Sequence, residues 1–351
     1  MKMTFRHYGE SDPVTLSDIR QIPAVTGIVT ALYGIPVGEV WPTEDILAAK
    51  RRCEAAGLSM EVNESVPVHE DIKRGEKTRE KLTENYIQTI RNLAATGVKV
   101  ICYNFMPVFD WVRTDLHFSL PDGGTALAYD SERLAALDPK TLSLPGWDES
   151  YTKEELAGLL GQYKGMTEDD LFENMVWFLE KLMPVCEECD VRMAVHPDDP
   201  PWPLFGLPRI VSTEKQIDRL LSTVNSPYNG LTFCTGSLGA GRTNDLVSMA
   251  EKYARMGRIH FVHARNIRYD GDGASFHECP HPTACGSLDI YGILRALRSG
   301  GFDGYIRPDH GRNIWGENGR PGYGLYDRAL GAMYLSGLWE GIVKTEKAHN
   351  L

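Results

Sequence analysis

No apolar stretch of this 351-residue chain approaches the roughly 18 residues that a membrane-spanning helix needs. The opening MKMTFRHYGESD turns polar before a signal-peptide core could form, so a cytoplasmic protein is expected. Long basic runs are missing too. None exceeds Lys50–Arg52, and 48 Asp plus Glu against 37 Lys plus Arg leave a net charge of −11. Binding a polyanion requires many cationic phosphate contacts, so neither nucleic acid nor an anionic membrane is an expected partner. The seven cysteines, scattered from Cys53 to Cys285, are odd in number and lack the spacing of a disulfide frame. They read as reduced thiols, some of them candidate ligands.

What the chain does have is a regular alternation of β-like and helical segments. Eight strand candidates, rich in β-branched and aromatic residues, lie at 3–9, 27–33, 59–65, 98–106, 191–197, 231–237, 258–266 and 304–311. Helices are expected at 15–22, 43–56, 78–97, 168–189, 214–224, 244–257, 287–299 and 325–345. Thr43 and Asn244 are positioned to open two of them, with Gly57 and Gly257 closing them. Leu82, Tyr86, Ile90 and Leu93 recur at helical spacing and predict a face packed on a sheet. Eight strands alternating with eight helices predict a (β/α)8 TIM barrel, in one domain over 1–351, because no break in composition supports two. One long irregular stretch, 105–167 after the fourth strand, carries Phe105, Phe109, Trp111, Phe118 and Trp147. Its aromatic content predicts an ordered lid inserted over the strand ends.

In such a barrel, residues at the C-terminal strand ends converge on one axis. Four consecutive strands end in metal-ligand types: His196 in AVHPDDPPWP, Cys234 in TFCTGSLG, His263 in FVHARN and Asp309 in RPDHG. Two neutral imidazoles, a thiolate and a carboxylate balance a divalent cation and leave positions open on a six-coordinate ion. Taken singly, each has a blander reading as a hydrogen-bonded histidine or a small buried thiol. Zinc suits His and Cys donors, and a mixed set also admits Fe(II) or Mn(II). Two other groups invite a metal reading. Cys186 and Cys189 lack a second pair and read as ordinary thiols, while His277, Cys279, His281 and Cys285 could hold zinc or simply cover the site.

The segments HPDDPPWPLFGLPRI, TFCTGSLG, HFVHARN, RPDHGR and PGYGLYDRALGAMYLSGL resemble the mannonate dehydratase family, and the likeness runs from MTFRHYG to the last helix. That resemblance implies the (β/α)8 fold, dehydration of D-mannonate to 2-dehydro-3-deoxy-D-gluconate in hexuronate (glucuronate) catabolism, and Mn(II) or Fe(II). It carries His196, Cys234, His263 and Asp309 over as ligands.

Such a reaction removes a weakly acidic C2 proton and expels the C3 hydroxyl, so it needs a base and an acid beside the cation. His310, next to a ligand, and Tyr323, in the glycine-flanked loop GRPGYGL, are the candidates; on intrinsic acidity neutral His is the better base and Tyr the better acid, roles that a nearby metal lowering the Tyr pKa would reverse. Adjacent Asp309 and His310 can serve together only if the chain leaves the strand there, a turn that Gly311 would permit. Arg265, Asn266, Asn104, Arg113, Asn63 and Glu64 stand at the same barrel end as candidate substrate contacts, or as salt-bridged surface groups. A metal-dependent sugar isomerase or epimerase, or a non-catalytic carbohydrate-binding barrel, would share the fold. The apolar closing helix YDRALGAMYLSGLWEGIV suggests a homodimer.

Overall fold

Runs that are apolar at every position, rather than at alternate ones, belong to strands covered on both faces, and they build the centre of this molecule. The structure is a computed structural model that describes residues 1–136, 153–271 and 273–349. In chain order the strands are β1 (Lys2–Arg6), β2 (Gly27–Thr30), β3 (Ser59–Glu64), β4 (Val100–Tyr103), β5 (Asp115–Ser119), β6 (Thr125–Tyr129), β7 (Arg192–Val195), β8 (Asn229–Cys234), β9 (Ile259–His263), β10 (Asn266–Asp270), β11 (Ser275–Cys279) and β12 (Tyr305–Arg307). The helices are α1 (Leu16–Arg20), α2 (Thr43–Ala55), α3 (Glu70–Lys73), α4 (Arg79–Ala95), α5 (Ser131–Ala135), α6 (Lys153–Gln162), α7 (Glu168–Cys189), α8 (Glu214–Thr223), α9 (Thr235–Ala240), α10 (Leu246–Arg255), α11 (Ile290–Ser299) and α12 (Tyr326–His349).

Eight parallel strands close into a barrel in the order β1-β12-β9-β8-β7-β4-β3-β2, with β1 pairing β2 on one side and β12 on the other. All eight expected strands are among them. Val29, Val62, Val100, Cys102, Ala194 and Phe261 fill the barrel's interior as a separate apolar cluster, and a larger core lies between strands and helices. The helix α4 turns Tyr86, Ile90 and Leu93 inward as the spacing predicts, with Leu82 partly covered. The longer α7 spans 168–189 as expected, opened by a reciprocal Thr167–Asp170 capping box and closed by left-handed Asp190.

Two caps differ from expectation. Pro42, with its fixed extended φ of −65°, is the N-cap of α2, so Thr43 is already helical. At α10 the cap is Asp245, whose carboxylate accepts from Ser248 N, while the Asn244 amide ties the carbonyls of Ser212 and Leu238 together.

A second sheet was not foreseen. The antiparallel strands run β10-β11-β6-β5, so the hairpin 115–129 of the insertion joins a hairpin that follows the seventh barrel strand. The run 258–266 is therefore two elements: the Arg265 amide bonds to the Thr235 hydroxyl instead of a neighbouring strand, and β10 starts at Asn266. Likewise, the Gly/Pro-rich stretch after it contains β11. Of the insertion's aromatics, Phe105 and Phe109 are buried and Phe118 is exposed; Trp147 lies outside the described residues.

Candidate active site

The barrel's C-terminal mouth opens on a cavity of about 450 Å³ whose wall includes His196, Asp309, His310, Tyr323, Glu64 and Arg307. His196 directly follows β7, Cys234 ends β8 and His263 ends β9; their donor atoms lie within 4.8 Å of one another. Asp309, two residues past β12, places Oδ2 3.6 Å from Cys234 Sγ and Oδ1 3.6 Å from His263 Nδ1.

The surroundings prepare this donor set for a cation. Nδ1 of His196 lies 2.7 Å from the Pro197 carbonyl, to which it donates, so Nε2 is the nitrogen left to face a cation; against burial, the adjacent Cys234 thiolate holds the imidazole's pKa up to about 9, and a bound cation would replace that proton. Burial opposes ionisation of Cys234, yet Arg265 and His196 hold its thiol well below the ordinary value. Ser237 donates to the sulfur at 3.1 Å. Asp309 is held well below the usual carboxylate range: Arg307, His310 and His263 outweigh its burial. A thiolate, a carboxylate and two imidazoles, with Cys234, His263 and Asp309 buried and His196 half-buried, converge as a donor set that fits a divalent transition-metal ion. A second group, Glu64, Cys102 and His263, also converges. Its Glu64 carboxylate, however, is already paired with Arg307 (2.9 Å) and Arg6 (3.0 Å), and burial pushes the Cys102 thiol up.

Asp309 and His310 do face the same cavity, and the reason differs from the expected one. The backbone turns at Asp309 itself, which adopts a left-handed φ of 61° that Asp tolerates better than most residues. Gly311 instead makes room: a Cβ there would come within 3.1 Å of the Arg328 backbone nitrogen. Past this turn, His310 Nε2 lies 2.8 Å from the Tyr323 hydroxyl, and its Nδ1 lies 2.6 Å from Glu278 Oε1. Burial pushes the Tyr323 phenol above its ordinary value, which keeps it protonated as a donor.

The six candidate substrate contacts are distributed differently. Glu64 and Asn104 line the cavity; the former is held by the arginines, and the latter accepts from Met106 N. Arg113 and Arg265 are buried in an ion-pair cluster. Arg113 grips Asp199 at 2.9 and 3.0 Å and reaches Glu278 at 3.1 Å. Arg265 meets Asp199 at 2.7 Å and Asp309 at 3.0 Å, and pairs closely with Glu278. Asn266 spends its amide on Ile267 N, Leu288 N and the Pro282 carbonyl, and Asn63 donates to the Thr30 carbonyl. The second cysteine–histidine cluster is dispersed among structural duties: His277 binds Asp270, His281 reaches the Pro308 carbonyl at 2.6 Å, and burial pushes the Cys279 thiol up to about 12. Cys186 is a core thiol, also pushed up to about 12 by burial.

Sequence reasoning missed Arg307, Arg6, Tyr8, Asp199 and Glu278. Arg307 and Asp199 stand inside the quoted RPDHGR and HPDDPPWP segments, but no local signal reveals where their side chains reach. Arg307 bridges Glu64 and Asp309 (both 2.9 Å), and Arg6 lies over the Tyr8 ring at 4.9 Å.

Comparison with known proteins bears on this site. Residues 1–349 match the family model for D-mannonate dehydratase (UxuA). Mannonate dehydratase from Thermotoga petrophila is 55% identical over 361 aligned positions, covering 99% of this chain and all of that one. The crystal structure of mannonate dehydratase from Streptococcus suis superposes with a TM-score of 0.92 at 46% identity, covering 99% of this chain and 96% of that one. An L-ribulose 3-epimerase, at 12% identity and a TM-score of 0.55 over 100% of this chain and 99% of its own, is similar in fold alone.

Proposed function

The chain belongs to the D-mannonate dehydratase family and is therefore a hydro-lyase; from this premise we propose that its cavity binds D-mannonate and removes water across C2 and C3 to give 2-dehydro-3-deoxy-D-gluconate, a step of glucuronate catabolism. The observation that carries this reading is that His196 and Asp309 of the metal-donor group line the same cavity as the hydrogen-bonded His310–Tyr323 pair.

His196, Cys234, His263 and Asp309 would hold one divalent ion, Mn(II) or Fe(II). When bound, it supplies the positive charge that stabilises a C2-deprotonated carboxylate. The residues do the proton work. One of the pair, His310 on intrinsic basicity, takes the C2 proton, and the other, Tyr323, gives its proton to the departing C3 hydroxyl, which leaves as water. The enol so formed takes up a proton at C3 and loses one from its C2 hydroxyl, becoming the 2-keto acid. Because the two side chains touch, the proton gained by His310 can pass to the Tyr323 oxygen and restore both for the next turnover. Arg307 and Arg6, both paired with Glu64, and Tyr8 beside them put guanidinium and phenol groups on the cavity wall for an acid with several hydroxyls.

Residues 105–167 would act as a lid within a single domain, a role supported by Met106 and Trp111 on the cavity wall. All seven cysteines are free thiols, which supports a cytoplasmic site of action. No described helix is long and apolar enough to cross a membrane. Trp315, 74% exposed, and the outward Tyr326, Leu330 and Met333 of α12 support a homodimer.

The test is purified protein with D-mannonate and Mn(II) or Fe(II), scored for a 2-keto-3-deoxy acid. Aldose–ketose interconversion without that product would replace the dehydratase by an isomerase on the same barrel.

A further inference from the structure

His310 has two nitrogens, and each has a different neighbour. Nε2 faces Tyr323 and the cavity, while Nδ1 faces Glu278 Oε1 at 2.6 Å and Arg265 Nη1 at 3.2 Å. An ionised carboxylate oxygen so close to an unprotonated ring nitrogen would set two lone pairs against each other, so Nδ1 carries the hydrogen and Glu278 accepts it. The other tautomer, with Arg265 donating to Nδ1, would leave that repulsion in place for a longer, weaker contact.

Glu278 is well suited to hold one position. It sits on β11, where alternation along the strand places it on the same face as buried Phe276, which stacks on Tyr129 of β6 at 5.7 Å. Its side chain is 2% exposed. Oε1 receives His310, Arg265 and Arg113 together, whereas Oε2 is buried without a hydrogen-bond partner. Arg113 and Arg265 face Asp199 and Glu278, and Arg265 also meets Asp309, so the cluster carries no excess positive charge while His310 is neutral. A proton arriving on His310 then meets a carboxylate already in place.

We propose that Glu278 is a positioning residue for the dehydration: it fixes the Nδ1-protonated tautomer of His310, so that Nε2 is the nitrogen that exchanges a proton with the substrate. The inference rests on the role given to His310 above and deepens it. It also assigns a task to the second sheet, because the strand pairing of β11 with β6 sets where the carboxylate stands.

The experiment compares Glu278→Gln, Glu278→Asp and His310→Asn in the full chain, each measured for kcat, KM, bound metal per chain and thermal midpoint. Glu278→Gln is expected to lower kcat by about 100-fold or more, the usual scale of proton-transfer catalysis, with KM within about threefold and metal content near wild type, and with a lower thermal midpoint because Arg113 and Arg265 lose a buried counter-charge. Glu278→Asp, which keeps the charge but retracts it by one methylene, is expected to fall between. In folded Glu278→Gln, a kcat within about threefold of wild type, or a loss matched by lost metal, would overturn the inference. If Glu278→Gln does not fold, Glu278→Asp decides: a turnover loss of roughly tenfold supports positioning, and unchanged turnover refutes it. Near-normal turnover in His310→Asn would instead reject the proposed role of His310, a failure distinct from that of Glu278.

Discussion

The Tyr323 hydroxyl stands 2.8 Å from His310 Nε2 although the two residues leave different segments, one past the end of β12 and one in the turn before α12. That contact closes a hydrogen-bonded line from Glu278 through His310 to the phenol, beside the four candidate ligands. It leads directly to the first expectation. His310→Asn and Tyr323→Phe should each lower kcat by roughly 10²- to 10⁴-fold with KM changed little, because both remove a proton carrier and neither removes a metal donor. Steady-state assays on metal-loaded protein check this, and near-wild-type turnover in either variant sinks the pair.

Cys234 is the soft donor of the group, and its thiol is held low by Arg265 and His196 against burial. Cys234→Ala should therefore lose most bound metal and turnover while keeping its fold, as read by elemental analysis and circular dichroism after anaerobic purification. Treating the wild type with a chelator should abolish activity, and Mn(II) or Fe(II) should restore it. Stoichiometric metal in the alanine variant would contradict the ligand set.

Gly236 in α9 lies so close to Arg265 that an added Cβ would collide with Nε and Cζ of the guanidinium. Arg265 is buried and paired with Asp199, Asp309 and Glu278, so it has little room to yield. Gly236→Ala should cost about 1–3 kcal/mol of stability by overpacking and lower turnover more than roughly tenfold. Gly158→Ala, in α6 with open space around it, is the control and should be neutral or stabilising by up to ~1 kcal/mol. Urea unfolding and activity of the two variants distinguish a packing effect from a general intolerance of alanine.

His260 on β9 is buried, with Nδ1 3.0 Å from the Met193 carbonyl, and burial pushes its pKa down to about 4. The unfolded chain, with an ordinary histidine near 6.5, binds the proton more readily than the folded one. Stability from this residue is thus complete above about pH 6.5 and falls as pH drops toward 4, by on the order of 3 kcal/mol. His260→Asn should flatten the unfolding free energy against pH across that window by up to one proton. An unchanged slope would show that His260 charges freely in the folded state.

On the outside, Tyr326, Leu330 and Met333 project from α12 at spacings of four and three, and Trp315 adds its ring to that of Tyr326 at 5.6 Å. Light scattering should give twice the monomer mass for the wild type and a monomer for the Leu330→Glu, Met333→Glu double variant. A monomeric wild type would dispose of the dimer.

Much of the barrel was legible because its strands are short runs buried on both faces, each ending where polar residues begin. The second sheet was not. Strand 115–119 is largely exposed, 125–129 is a short, largely buried run without alternation, and β11 falls in a stretch dominated by Gly, Pro, His and Cys, so none of them announces itself by a clear period of two. The turn at the eighth strand was anticipated at the wrong residue for a related reason: Gly311 signals flexibility in sequence, whereas only packing against Arg328 and the demand for two inward side chains put the left-handed conformation on Asp309.

The sequence by itself determined the alternation of elements, the strand-end positions of His196, Cys234, His263 and Asp309, and a family likeness, because periodicity and strand termini are local properties of the chain. Tertiary structure alone decided which charges are spent and which are free. Arg113 and Glu278 are 165 residues apart and Arg307 and Glu64 are 243 apart, yet both pairs are in contact. A long side chain's partner is set by barrel closure and by the cost of leaving a buried charge unpaired, and neither is written in the residues beside it.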